Sequence, residues 1–139
     1  MIVLDTNVLS ELLRPAPEQR VLTWLSDQPR GSVFSTTVTQ AEILLGIRVL
    51  PEGKRQRDLN MATLAIFNED FAERLLTFDS DAAVAYADIG AARRAAGRPI
   101  SQFDAMIAAM ARSRGATLAT RNTKDFEACG IEIVNPWNS

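Results

Sequence analysis

Apolar positions along the chain fall into short continuous runs, separated by longer stretches in which they recur at helical spacing. The first run, Ile2-Val3-Leu4, is uninterrupted and reads as a strand buried on both faces. Asp5, Thr6 and Asn7 are turn and cap formers, so the chain is predicted to leave the sheet there and enter a helix. Residues 7–14 place Val8, Leu9, Leu12 and Leu13 on one helical face, and Pro15 stops them. Pro17 and Glu18 suit the first turn of a second helix with Val21, Leu22, Trp24 and Leu25 as its stripe. Pro29-Arg30-Gly31 reads as a turn and Ser32-Val33-Phe34-Ser35 as a second strand, followed by the cap candidates Thr36, Thr37 and Thr39.

Residues 41–50 then form a strongly apolar helix containing Glu42, broken at Pro51-Glu52-Gly53-Lys54. A further helix over 55–68 makes the pair an αα-hairpin. Leu75-Leu76-Thr77-Phe78 is a weak third strand. An Ala-rich helix follows, capped by Asp79 or Ser80 and closed by Gly97; the next spans 101–114 and is closed by Gly115. Thr117-Leu118-Ala119-Thr120 and 131–134 are the last strands, with a polar turn and short helix at 121–126 between them, and Pro136 ends regular structure. Alternating strands and helices predict an α/β fold: one domain over 1–139, with a parallel sheet of four to five strands covered by helices on both faces.

Composition narrows the chemistry. A chain of 139 residues, 47% hydrophobic, is large enough for a core without disulfides or structural metal. Net charge is −2 and pI about 5.2, so any nucleic-acid contact must come from a local basic patch. The chain has no histidine, which removes Ser-His and Cys-His pairs and imidazole metal sites. The single cysteine, Cys129, reads as a small filler, and no segment has the length of a membrane span; a cytoplasmic protein is expected. Carboxylates, amides, hydroxyls and Lys/Arg must carry any catalysis.

Four acids stand where the ends of parallel strands would bring them together. Asp5 and Asp125 follow strands, Glu42 sits early in the helix after the second strand, and Asp104 sits in the first turn of a helix. Each has a structural explanation: Asp5 as a cap, Glu42 after Thr39 and Asp104 after Ser101 at capping-box spacing, Asp125 near a helix start. Together they are costly, since two like charges about 4 Å apart repel by about 1 kcal/mol in water and about 4 at an effective dielectric near 20. Shared protons or a cation would relieve this. Oxygen-only donors select a hard ion, Mg²⁺ or Mn²⁺, whose retained waters suit phosphodiester hydrolysis.

Four motifs carry a resemblance: Met1-Ile2-Val3-Leu4-Asp5-Thr6-Asn7, Thr39-Gln40-Ala41-Glu42-Ile43-Leu44-Leu45-Gly46, Ile100-Ser101-Gln102-Phe103-Asp104-Ala105-Met106-Ile107-Ala108-Ala109, and Ala119-Thr120-Arg121-Asn122-Thr123-Lys124-Asp125-Phe126. In this order they resemble PIN-domain toxins of the VapC type, in the FitB-like branch. The resemblance implies a Mg²⁺-dependent endoribonuclease with the acidic quartet Asp5, Glu42, Asp104 and Asp125. Asp5 and Asp104 would be the direct metal ligands, and Glu42 a ligand through water or the base that orients it. Asn122 could share the role of Asp125. Thr6, Asn7 and Thr120 would orient carboxylates or waters, while Arg121 and Lys124 would neutralise RNA phosphates. Arg93, Arg94 and Arg98 read as a solvated charge run, with a phosphate role as the alternative. Leu9, Leu12, Leu13, Leu22, Trp24 and Leu25 read first as core; the resemblance adds a groove for a VapB-type antitoxin, and a homodimer. Other readings are a phosphotransfer protein, whose paired acids are not evident, a PIN-fold binding module, and a DNA-directed nuclease.

Overall fold

The computed structural model describes residues 1–29 and 31–138. Five strands, β1 (Ile2–Leu4), β2 (Val33–Thr36), β3 (Leu75–Leu76), β4 (Thr117–Ala119) and β5 (Glu132–Val134), form one parallel sheet in the order β3-β2-β1-β4-β5. Six α-helices connect them: α1 (Thr6–Leu12), α2 (Gln19–Ser26), α3 (Thr37–Arg48), α4 (Lys54–Ala65), α5 (Ser80–Ala95) and α6 (Gln102–Ser113). The predicted α/β architecture and the αα-hairpin, made by α3 and α4, are both present.

The uninterrupted apolar run of β1 follows from its place in the middle of the sheet. Val3 is sealed under a cluster with Ile89 of α5 and Ile107 and Met110 of α6, whereas Leu4 packs with Val8 and Leu9 of α1, Val21 and Trp24 of α2, and Ile43 of α3. One strand feeds two cores, so neither face tolerates a polar residue. Strand order reverses between β1 and β4, where Leu4 registers with Ala119. Open α/β sheets leave a crevice beyond the carboxyl ends of strands at such a reversal. Asp5 and Thr120 are the next residues on the two strands.

Several boundaries differ from the sequence reading. The third helix starts at Thr37, four residues before the predicted Ala41, because Thr36 ends β2 and its hydroxyl caps the helix by accepting from the Thr39 N–H at 3.0 Å. α4 passes into a single π turn (Ile66–Asp70), and β3 keeps only two residues. Asp79, not Ser80, caps α5, accepting from the Ala82 N–H at 2.9 Å. Past Pro136 the chain makes another 3₁₀ turn (Pro136–Asn138) instead of ending regular structure. Arg30 of the predicted turn lies outside the described residues. Leu9 and Trp24 are buried and Leu12, Leu13 and Leu25 pack on the same cluster, as the core reading requires, whereas Leu22 is half-buried and not part of it. Among the described residues no helix is long and apolar enough to cross a membrane.

Candidate active site

Asp5 stands at the end of β1 as the N-cap of α1, and only 4% of it is exposed. Both carboxylate oxygens are engaged: the Thr6 N–H donates to Oδ1 at 2.8 Å and the Thr120 hydroxyl donates to Oδ2 at 2.8 Å. Thr120, itself fully buried, accepts in turn from the Asn122 N–H at 3.0 Å and from Asn7 Nδ2 at 3.3 Å. These donors favour the carboxylate, yet burial dominates and lifts the Asp5 pKa from 3.8 to about 6, with the charges of Asp104 and Glu42 pushing the same way.

Glu42 is oriented from α1. The Thr6 hydroxyl donates to its Oε1 at 2.8 Å and lies 3.0 Å from the Thr39 hydroxyl. Thr6 has one hydroxyl proton, spent on Glu42, so Thr39 donates to Thr6. The capping-box explanation of Glu42 therefore fails: Thr39 is inside the helix and faces the site. Asp104 keeps half of its own capping box, its N–H donating to the Ser101 hydroxyl at 3.3 Å. Burial raises its pKa and Asp125 adds to the rise, against the Ser101 hydrogen bond and the Arg93 charge.

A cavity of about 480 Å³ opens between these groups, with Asp5, Glu42 and Asp104 on its wall beside Thr6, Asn7, Arg121 and Asn122. Asp125, on the 3₁₀ turn Thr123–Phe126, is exposed and does not line it; its electrostatic tie is to Asp104. Lys124 is also exposed and outside the cavity. Arg93 departs from the solvated reading. It is 5% exposed, and donates through Nε to the Arg98 carbonyl at 2.7 Å and through Nη1 to the carbonyls of Asp125 and Glu127, each at 2.9 Å. Nη1 also lies 3.5 Å from the buried thiol of Cys129, and Arg98 pairs with Glu127 at 2.9 Å. Arg93 is thus unavailable to phosphate and instead ties the Asp125 loop to α5.

Four further residues of the wall escaped the sequence reading. Glu11 is buried and accepts from the Glu18 N–H at 3.0 Å and from Arg14 at 3.2 Å, and the first of these does most to hold its pKa below the usual value. Its place one turn beyond Asn7 on α1 was a legible signal. Ser10, Arg14 and Trp137 complete the wall; Trp137 comes from the far end of the chain, where no local pattern announces it. Beyond Thr6 and Glu42 a larger groove of about 990 Å³ runs between α1 and the α3–α4 hairpin, lined by Leu13, Ile47, Leu50 and Leu59.

Residues 2–131 match the PIN domain. The chain belongs to the PIN-domain family. It is 40% identical to VapC ribonuclease Y4jK of Sinorhizobium fredii over 99% of this chain and 98% of that one. It is 39% identical to Toxin FitB of Neisseria gonorrhoeae over 99% of each. A solved structure of FitAB bound to an IR36 DNA fragment contains a chain that superposes with a TM-score of 0.92 at 39% identity, covering 99% of this chain and 96% of that one. The resemblance to VapC-type toxins of the FitB-like branch is borne out over the whole PIN domain.

Proposed function

We propose that this PIN domain is a Mg²⁺-dependent endoribonuclease, the toxin of a cytoplasmic toxin–antitoxin pair. One observation carries the reading: Asp5, Glu42 and Asp104 line one cavity, and Asp5, although it accepts one hydrogen bond at each oxygen, is pushed up to about 6 with both charges acting on it negative. The likeness to a VapC ribonuclease and to Toxin FitB gives that uncompensated charge a purpose.

The donor set fits a hard cation. The carboxylates, hydroxyls and amides that line the cavity offer oxygen donors, and among the described residues no three carboxylates are placed to grip one ion directly. Mg²⁺ is commonly held by one or two carboxylates with its remaining positions filled by water. Asp5 and Asp104 would supply those two, with Mn²⁺ as a substitute. When bound, the ion neutralises phosphate charge and makes a water molecule a better nucleophile. Glu42, with Oε1 taken by Thr6, presents Oε2 to orient that water and accept its proton. Thr120 and Thr6 fix the two carboxylates they touch. Asn122, which lines the cavity, and Asp125, which acts on Asp104, divide the fourth position between them. The groove beside Thr6 and Glu42 is an apolar seat for a segment of a VapB-type antitoxin, close enough to obstruct the cavity.

Purified protein free of antitoxin is incubated with total cellular RNA, with Mg²⁺, with EDTA, and as Asp5→Asn. Discrete fragments that require both the metal and Asp5 are expected. Cleavage by Asp5→Asn, or none by the folded wild type under any metal, would overturn the reading.

A further inference from the structure

The acidic cavity has two cations on its wall, Arg14 and Arg121. Arg14 is spent on Glu11, at 3.2 Å. Arg121 makes no ion pair among the described residues; its guanidinium carbon lies 5.1 Å from the centre of the Trp137 ring. The platform under it is fixed. Trp137 packs on the core cluster and docks on α2, its backbone N–H donates to Asn135 Oδ1 at 2.9 Å, and its backbone carbonyl accepts from Arg20 at 3.4 Å. The other end of Arg121 is anchored too, its backbone N–H donating to Asn7 Oδ1 at 3.4 Å. Glu11 acts on this guanidinium electrostatically from the same wall.

A planar cation held by its face against an indole keeps its N–H edge free for an oxyanion. A polyanionic strand entering a cavity lined by acids needs such a cation near its entrance, and the net charge of −2 shows that the chain as a whole does not supply one. Resting on the nuclease reading, we infer that Arg121, laid on Trp137, is the seat for a phosphate flanking the scissile one in a single-stranded nucleic acid. Arg121 makes the contact. Trp137 is a positioning residue that holds the guanidinium plane.

The test is anisotropy of a fluorescent single-stranded RNA of about 12 nucleotides, titrated in EDTA at several salt concentrations. Arg121→Ala is expected to weaken binding about tenfold at low salt, and to make the log–log salt dependence shallower by about 0.7, the value of one phosphate contact. Arg121→Lys and Trp137→Leu keep the charge, so their salt slope should match the wild type while affinity falls about threefold. Thermal melts confirm that each variant is folded. Equal affinity and slope for Arg121→Ala and wild type would overturn the seat, as would a wild type that binds no RNA in EDTA. Wild-type affinity in Trp137→Leu would overturn the platform. Cleavage assays separate this from the nuclease reading. Metal-dependent cleavage with an indifferent Arg121→Ala removes only the seat; cleavage by Asp5→Asn with a weakened Arg121→Ala removes only the nuclease reading.

Discussion

The two halves of the acidic cluster are held by opposite means. Asp5 and Glu42 are braced by uncharged donors, the hydroxyls of Thr120 and Thr6 and one backbone N–H. Asp104 is held by the first turn of α6 and its Ser101 cap, and Asp125 by a loop pinned from behind by the buried Arg93 guanidinium, which bonds to the main-chain carbonyls of Arg98, Asp125 and Glu127 and to neither carboxylate. Both arrangements fix acids without neutralising them. A salt bridge would position a carboxylate equally well but would cancel the charge a cation ligand needs. The difference lies in what each brace costs to break: a hydroxyl bonded to a carboxylate contributes about 2 kcal/mol, whereas a buried charged hub contributes about 3 to 5.

This contrast can be tested at four levels. The largest effect is catalytic. Asp5→Asn should lower cleavage about a thousandfold or more, equivalent to about 4 kcal/mol, while Asp125→Asn, outside the cavity, should lower it only about tenfold; single-turnover rates on one RNA give both numbers. Equal losses would mean the cluster acts as a symmetric quartet. Next is the charged brace. Arg93→Gln should cost about 3 to 4 kcal/mol in urea denaturation, and Arg93→Lys should recover little, because an ammonium cannot reach three separated carbonyls.

The third test is pH. The Asp5 carboxyl titrates near 3.8 when unfolded and about 6 when folded, so between those values the folded form holds more proton. Stability of the metal-free protein should therefore fall as pH rises from about 4 to about 6, by on the order of 2 to 3 kcal/mol, and then level off. Asp104 shifts in the same direction and adds to the fall. Saturating Mg²⁺ should restore the loss above pH 6 and do nothing near pH 4, as melting curves with and without metal would show. The smallest effect is that of the hydroxyl brace: Thr120→Val should cost about 2 kcal/mol of stability but about tenfold or more in cleavage, since Asp5 keeps one donor and loses its orientation.

Much of this site was legible because one rule does most of the placing: in a parallel sheet, residues that follow strands meet at one edge. Asp5 and Thr120 needed only that rule. Glu42 was harder, since Thr36, Thr37 and Thr39 are equally good caps in isolation, and the choice fell to Thr36 because it ends a sheet strand. The burial of Arg93 was readable but masked by its neighbours. It continues the face of Ala82, Ala85 and Ile89 along α5, yet beside Arg94 and Arg98 it looks like a solvated run. The side on which Asp125 points is set by a tight 3₁₀ turn, and the place of Trp137 by the docking of the last turn on α2; neither follows from local pattern.

The central position of β1 has a consequence in time. Its first neighbour, β2, ends at residue 36, but the other, β4, is not synthesised until residue 117. A ribosome adding about 5 to 20 residues per second thus produces Asp5 long before the Thr120 hydroxyl that orients it. The open edge of β1 waits from residue 36 to residue 117, and until then the cavity lacks Thr120, Arg121 and Asn122. A partner that binds co-translationally meets the α1–α3 surface before the acidic cavity is complete.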